Sequence, residues 1–441
     1  MTKSIHEVRD PIHIFVRLNS QERWVVDSRP FQRLRHIHQL ALTYLVYPGA
    51  THRRFEHSLG VMELAGRVFD VITSLNNVSN DIRDLIGPIR EQEQLPYWRT
   101  VLRMAALCHD LGHLPFSHAA EKELLPENWN HERITRSIIE STEMAEIWSK
   151  MRPPLNATDI VKLALGKKEA KDLEFTNWEA ILSEIITGDA FGVDRIDYLL
   201  RDSHHAGVSY GKFDHFRLID TLRILPSPRP NDEMGPGEPA LGVQEGGLHS
   251  AEAMMLARYF MFSQVYFHRV RRIYDIHLKD FLKERLDGGP FPTQIEDHLR
   301  LTDNEVTAAL LHAARRKDKP GHLHADRIVN RHHFKLLYER NPNDIKVDRN
   351  AGKSVFDALC AIFGEEQFRH DRFAQTGGAP DFPVELGNGE IVSSFLKSET
   401  LNMLPVVSID NVFAERQIFE EARQLLKENR DDIVRPPEKE N

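Results

Sequence analysis

The sequence predicts a mostly α-helical protein with a small α+β region towards the C-terminus. Three observations predict it: apolar residues recur at helical spacing, the 38 residues from His249 to Leu286 hold neither Gly nor Pro, and extended patterning gathers in Phe382–Val407. At 441 residues the chain buries a large core without disulfide staples, as one large domain with appendages or as two domains.

The elements follow in order. In SLGVMELAGRVFDVITSLN (58–76), Leu59, Met62, Phe69 and Ile72 share one helical face, predicting an amphipathic helix that begins after His57 with Ser58 as N-cap. RTVLRMAALCHDL (99–111) is apolar on most sides and reads as a core helix ending near Gly112, with a turn at Leu114-Pro115. A third helical pattern spans 178–202, interrupted around Gly188 or Gly192. The Pro/Gly-rich PSPRPNDEMGPGEPALG predicts a loop or small hairpin, and His249–Leu286 predicts one helix, the longest in the fold. VEL, GEIVSSFL and LPVVSI carry the only extended signal; a helix at about Val412–Lys427 follows, and the tail RDDIVRPPEKEN frays. The expected division is 1–285 for a catalytic core with an N-terminal oligomerisation and regulatory segment, 286–430 for the C-terminal α+β region, and 431–441 for the tail.

Hydrophobic residues at 41% and charged residues at 28% exclude collagen-like, disordered and disulfide-scaffold classes. The net charge of −9 argues against a chain-wide nucleic-acid surface, and no basic platform with stacked aromatics marks a dedicated nucleic-acid site. Cys108 and Cys360 are the only cysteines, so neither a disulfide framework nor a Cys-rich zinc site is expected. The N-terminus lacks the apolar core of a signal peptide, and no run of about 18 apolar residues occurs, which predicts a cytoplasmic protein with no membrane partner. Histidine, at 23 residues, is the outlier, and it is both the commonest ligand for borderline metals and the usual acid or base near neutral pH.

The sharpest local signal is Cys108-His109-Asp110-Leu111-Gly112-His113. On a helix the adjacent His and Asp stand about 100° apart and reach one ion beside the axis, with His113 one turn beyond His109. Alone, such a pair is a weak signal; inside an apolar helix it gains weight, because a buried carboxylate needs a partner such as a metal. HRRFEHS sets Arg54 and His57 at a helix start, a place suited to anions. His118 and Glu121 follow a Pro turn, and Asn130-His131-Glu132 follows a tryptophan. In GVDRIDYLLRDSHH, Asp194, Tyr198 and Asp202 form one helical stripe with Arg195 beside it, a pattern that a solvated face with ion pairs also produces.

The order His57, His109-Asp110, Asp194 resembles the HD-domain metal-dependent phosphohydrolases. The longer strings FQRLRHIHQL, YPGATHRRFEHSLGV, CHDLGHLPFSH, NHE and VDRIDYLLRDSHHAG resemble the deoxynucleoside triphosphate triphosphohydrolases within them, over about Asp10 to Lys283 and more weakly from Arg327 to Lys335. The likeness is to the branch that holds the vertebrate SAM- and HD-domain enzyme and bacterial homotetramers. It implies an HD-domain helical phosphohydrolase fold and one divalent metal held by His57, His109, Asp110 and Asp194. Two imidazoles with two carboxylates suit Mn, Fe, Ni or Zn, while Mg prefers more oxygen. The implied reaction is attack on the α-phosphorus of a dNTP, releasing deoxynucleoside and inorganic tripolyphosphate.

By the same resemblance His118 is the general acid, with Glu121 and His131 as orienting or relay partners whose roles exchange; Glu121 stands where the vertebrate enzyme has Asp. Arg54, His113, Arg195, Tyr198 and Arg258 match phosphate contacts, Arg195 replacing a lysine. Gln39, Leu40 and Tyr266 match the deoxyribose wall and Asp202 the contact to the 3′-hydroxyl. Asp27, Gln32 and Arg35 match a guanine-reading activator site between subunits, and Arg217, Arg331 and Lys335 match its phosphate contacts. GTP, dGTP or a dNTP as activator, Mg at that site and a homotetramer are implied. The alternatives are an HD phosphohydrolase acting on another nucleotide or phosphoester, such as a nucleoside monophosphate, and a catalytically silent nucleotide sensor.

Overall fold

In the computed structural model, residues 5–116, 121–227, 237–286, 290–374 and 378–435 are described. The chain is mostly helical, with short strands. It divides into two compact units: Met1–Met261 with Phe291–Asp303 and Ala379–Leu404, and Phe262–Pro290 with Asn304–Gly378 and Pro405–Asn441. Neither unit is one continuous stretch, because the chain returns to the first unit after leaving it: strand Pro383–Glu385 pairs in parallel with Pro239–Gln244.

The first unit is built on the Arg54–Ile72 helix, the longest among the described residues. Its stripe of Leu59, Met62, Phe69 and Ile72 is buried, and the helix packs against Leu95–Cys108 and Val193–Ala206. It starts earlier than expected because Glu56 Oε1 accepts the Arg53 amide N–H at 2.8 Å and closes the N-terminus; Ser58 is a buried interior residue, not a cap. The next helix, Leu95–Cys108, carries Pro96 in its first turn, where a missing N–H costs nothing, and ends at Cys108 instead of Leu111. His109 and Asp110 therefore sit in the turn at its C-terminus. The third pattern is interrupted as expected, into Asn177–Thr187 and Val193–Ala206.

Strands occur well outside 382–407. Ile5–Asp10 pairs antiparallel with Ile14–Asn19, its alternation obscured because Ile5, Ile14 and Phe15 are exposed while Asp10 is buried, and the Asp10 carboxylate closes the turn by accepting the Ile12 and His13 amides at 2.8 Å each. Leu222–Pro226 pairs antiparallel with Pro239–Gln244, so the Pro/Gly-rich segment forms a hairpin whose connection, 228–236, lies outside the described residues. Pro383–Glu385 extends this sheet to Ile391–Ser393.

In the second unit, Ser408–Ala414 is the centre of an antiparallel sheet between Lys335–Glu339 and Phe368–Ala374. Ala351–Phe363 and Phe419–Ile433 bury Val355, Leu359, Ala422 and Leu426 against Tyr338, Phe368 and Val412. Val412–Ala414 thus end a strand where a helix was expected to begin, and that helix runs from Phe419 to Ile433, past the point of expected fraying; 436–441 lie outside the described residues.

The single helix expected over 249–286 is two, Leu248–Met261 and Arg269–Arg285, separated by a π-turn at Phe262–Tyr266. Phe267 N–H donates to Phe262 O at 2.9 Å, one residue beyond α-helical spacing, and His268 Nδ1 accepts the Val270 amide at 3.3 Å to start the second helix. Lack of Gly and Pro permits a continuous helix without imposing one. No helix among the described residues is long and apolar enough to cross a membrane.

Candidate metal centre and active site

His57 projects from the first turns of Arg54–Ile72, His109 and Asp110 from the turn after Leu95–Cys108, and Asp194 from the first turn of Val193–Ala206. These elements bring the four side chains together. His57 Nε2 lies 3.0 Å from Asp194 Oδ1 and 3.8 Å from Asp110 Oδ2; His109 Nε2 lies 3.4 Å from Asp194 Oδ1 and 3.3 Å from Asp110 Oδ1. Asp110 is shared, since Arg54 also pairs with its Oδ2 and His113 Nε2 lies 3.1 Å from its Oδ1.

The donor set fits a divalent cation, and the ring hydrogen bonds point the same way. His57 Nδ1–H donates to Asp197 Oδ2 at 2.8 Å and His109 Nδ1–H to Ala106 O at 2.8 Å, so both rings turn Nε2 inward. His109 Nε2 is buried without a hydrogen-bond partner, a lone pair poised for an ion. Burial would lower the His57 pKa, but hydrogen bonds from Asp194 and Asp197 raise it to about 10; burial would raise Asp194, and the two imidazoles hold it below the usual carboxylate range.

A third His/Asp group, His277, Asp280 and His324, lies in the second unit. There the Phe334 amide donates to His277 Nε2 at 3.3 Å and Arg369 Nε binds Asp280 at 2.9 Å, while Nδ1 of His277 and of His324 is buried without a hydrogen-bond partner.

Next to Asp110 stands an acid–base cluster. His131 Nδ1–H donates to Glu121 Oε1 at 2.6 Å, and the His131 ring stacks on His113 with centroids 4.0 Å apart. Burial lowers both rings; Glu121 more than reverses this for His131, whereas Arg54 and His131 push His113 further down and keep it neutral. His118 lies outside the described residues. A side chain at Gly112 would collide with the His131 carbonyl and the Thr135 amide, so only glycine lets the turn bearing His109 and Asp110 press on helix His131–Ile139.

Of the expected phosphate contacts, Arg195, Tyr198 and Arg258 come together: Arg195 hydrogen-bonds Tyr198, and both act electrostatically on Arg258. Burial raises the Tyr198 pKa and lowers that of Arg258, the latter with Arg195 adding to the fall. Arg195 Nη1 rests on Gly188 O at 2.7 Å and on Asp189 O. Gln39 N–H donates to His52 O at 3.0 Å, Leu40 is 8% exposed, and His52 Nε2 bonds Asp202 at 2.7 Å. Tyr266 falls in the other unit, its ring edge-on to Phe262.

The expected regulatory residues divide as well. Arg35 Nε donates to Gln32 Oε1 at 2.8 Å with its guanidinium 3.5 Å above Phe55, Asp27 takes Arg23 Nε at 3.0 Å, and Arg217 Nε donates to Gly246 O at 3.2 Å. Arg331 and Lys335 belong to the second unit. A cavity of about 580 Å³ beside the N-terminal hairpin includes Arg67, Arg99 and Arg103, but Glu63, Asp70 and Glu22 neutralise them.

The sequence reading missed Asp197, Arg201, His13 and Asp10, all buried around His57, and His52 on Asp202. Asp197 and Arg201 lie off the 194/198/202 stripe; their i, i+4 spacing was the available signal.

Residues 54–202 match the family described as HD domain, and residues 213–355 match HD associated region. Uncharacterized protein YwfO of Bacillus subtilis is 30% identical over 401 residues, covering 86% of this chain and 80% of that protein. Deoxynucleoside triphosphate triphosphohydrolase SAMHD1 of Homo sapiens is 28% identical over 383 residues, covering 79% of this chain and 57% of that protein. A crystal structure of a hypothetical protein from Aquifex aeolicus superposes with a TM-score of 0.77 at 34% identity, covering 96% of this chain and 100% of that one.

Proposed function

The chain belongs to the HD-domain family of metal-dependent phosphohydrolases, and from that premise we propose that it hydrolyses deoxynucleoside triphosphates to deoxynucleoside and inorganic tripolyphosphate. The observation that carries the reading is the cationic run beside the metal cluster: Arg54 on Asp110, and Arg195 with Tyr198 and Arg258 next to Asp194. A triphosphate brings about four negative charges, which need several cations and donors; a monophosphate leaves part of this set uncompensated.

In this proposal His57, His109, Asp110 and Asp194 hold one divalent metal, which supplies Lewis-acid polarisation of a phosphate oxygen and a nucleophile at neutral pH. Arg54, neutral His113, Arg195, Tyr198 and Arg258 bind phosphate oxygens. His118 protonates the leaving 5′-oxygen, and the Glu121–His131 pair keeps a proton available beside it. Gln39, Leu40 and Tyr266 line the sugar, and Asp202 accepts from the 3′-hydroxyl. Activation by GTP, dGTP or a dNTP at Asp27, Gln32, Arg35, Arg217, Arg331 and Lys335 of a homotetramer, with Mg, completes the proposal, as does action in the cytoplasm.

The test is incubation of purified protein with each dNTP and rNTP and with Mn²⁺, Mg²⁺, Ni²⁺ or Zn²⁺, with and without GTP or dGTP, resolving products by chromatography. Tripolyphosphate plus deoxynucleoside is the expected result; orthophosphate released from nucleoside monophosphates instead transfers the protein to the alternative substrate class.

A further inference from the structure

We infer that Asp197 is a positioning residue for the metal site, fixing His57 through a sealed hydrogen-bond network with Asp10, His13 and Arg201. The inference deepens the metal-dependent phosphohydrolase reading and rests on it.

Asp197 lies one helical turn after Asp194, and the two carboxylates take the two nitrogens of the His57 ring, Asp194 at Nε2 and Asp197 at Nδ1. Their exposure separates their tasks: the Asp194 side chain is 37% accessible and that of Asp197 is 0%. An ion arriving from solvent meets the Asp194 side, while the Asp197 side is closed.

The Asp197 carboxylate is saturated. Oδ2 accepts from His57 Nδ1 at 2.8 Å and Arg201 Nε at 2.7 Å; Oδ1 accepts from His13 Nε2 at 2.6 Å and Arg201 Nη2 at 2.9 Å. His13 Nδ1 has no hydrogen-bond partner, so the ring's hydrogen bond is the one that Nε2–H gives to Asp197. Arg201 Nη1 continues to Asp10 Oδ2 at 2.8 Å, and Asp10 Oδ1 is occupied by the two amides of the hairpin turn.

Charges buried this deeply persist only when every donor and acceptor is matched, and here one guanidinium stands between two carboxylates. With each oxygen of Asp197 committed, the His57 proton is pinned at Nδ1 and the ring cannot rotate without breaking the set. The fold also reserves the space: any side chain at Gly60 would strike both Asp197 and Arg201. A carboxylate serving structure alone has no need to hold a metal-facing ring by its far nitrogen; this one leaves Nε2 directed at Asp194 and His109.

The test uses full-length protein stripped of metal and titrated with Co²⁺, read by visible d–d absorption, with thermal melting of the metal-free forms beside it. The variants are D197N, H13A, H13Q, which restores a donor to Asp197, and H57A as reference. We expect D197N to bind Co²⁺ roughly 10–100-fold more weakly with an altered band, H13A to melt lower and to lose at least about threefold in binding with its band altered as in D197N, and H13Q to recover both binding and band. Wild type that binds while H57A does not, with D197N and H13A indistinguishable from wild type, overturns the inference and leaves the family reading standing. Wild type that does not bind, or H57A that binds as well as wild type, overturns both. Should D197N fail to fold, H13A against H13Q decides, and an H13A titration matching wild type overturns the proposal.

Discussion

Glu121 Oε1 accepts two N–H groups of His131, the ring Nδ1–H at 2.6 Å and the backbone amide at 2.8 Å. The carboxylate keeps the ring protonated to higher pH than its burial alone allows. Glu121→Gln removes the charge and lowers the His131 pKa, so activity that needs the protonated ring is lost at lower pH as pH rises. We expect kcat to fall about 10²-fold and the alkaline limb of kcat/KM to move down. A pH profile superimposable on that of wild type contradicts the assignment.

On the proposed ligand set, metal removal should destabilise the fold, because His57, His109, Asp110 and Asp194 come from three separate segments and lie close together. A ligand that binds only the folded state adds RT ln(1 + [L]/Kd), about 2.7 kcal/mol at a hundredfold excess over Kd. Chelation should lower Tm and re-addition of Mn²⁺ restore it, while Asp194→Ala shows no response to either. Scanning calorimetry of both proteins checks this, and a wild-type Tm indifferent to chelator refutes it.

His298 is fully buried, with neither ring nitrogen hydrogen-bonded. Burial, aided by Arg33, pushes its pKa down to about 2. The unfolded chain therefore binds the extra proton first: the stability is complete above about pH 6.5 and is lost as pH falls below it. Between pH 7 and pH 5 this group should cost about 2 kcal/mol, so His298→Leu should flatten the pH dependence by that amount. Urea melts at both pH values measure it, and equal slopes for variant and wild type reject it.

Leu40 is almost wholly buried next to Gln39, whose amide is tied to His52. If this wall excludes a 2′-hydroxyl, Leu40→Ala opens room for one, and the dNTP to rNTP ratio of kcat/KM should fall about tenfold. Competition assays with paired dGTP and GTP read the ratio directly; an unchanged ratio removes Leu40 from sugar selection.

The parts of the site that were legible in the sequence are those whose chemistry is local. Adjacent His109-Asp110 in an apolar stretch and the 194/198/202 spacing are visible without a fold, and each gains its weight only beside the other. Asp197 does not, because its meaning depends on His57 and His13, 140 and 184 residues away. The interruption between 188 and 192 was readable from glycines, whereas the π-turn at Phe262–Tyr266 was not, since backbone bonds to Phe262 decide it without any breaker residue. The N-terminal hairpin was masked because Ile5, Ile14 and Phe15 are exposed while the charged Asp10 is buried. Regular elements with one buried stripe show in a single sequence; contacts made only in three dimensions do not.

The Thr135 hydroxyl donates to His109 O at 3.3 Å and accepts from Gly112 N–H at 2.9 Å, and Gly112 lies flush on the backbone at His131. The segment carrying His109 and Asp110 is thereby bolted to the helix that His131 begins. Any movement that tilts that helix carries His109, Asp110 and His131 together, so on the proposed roles damage at either 112 or 135 should weaken metal binding and proton transfer at once.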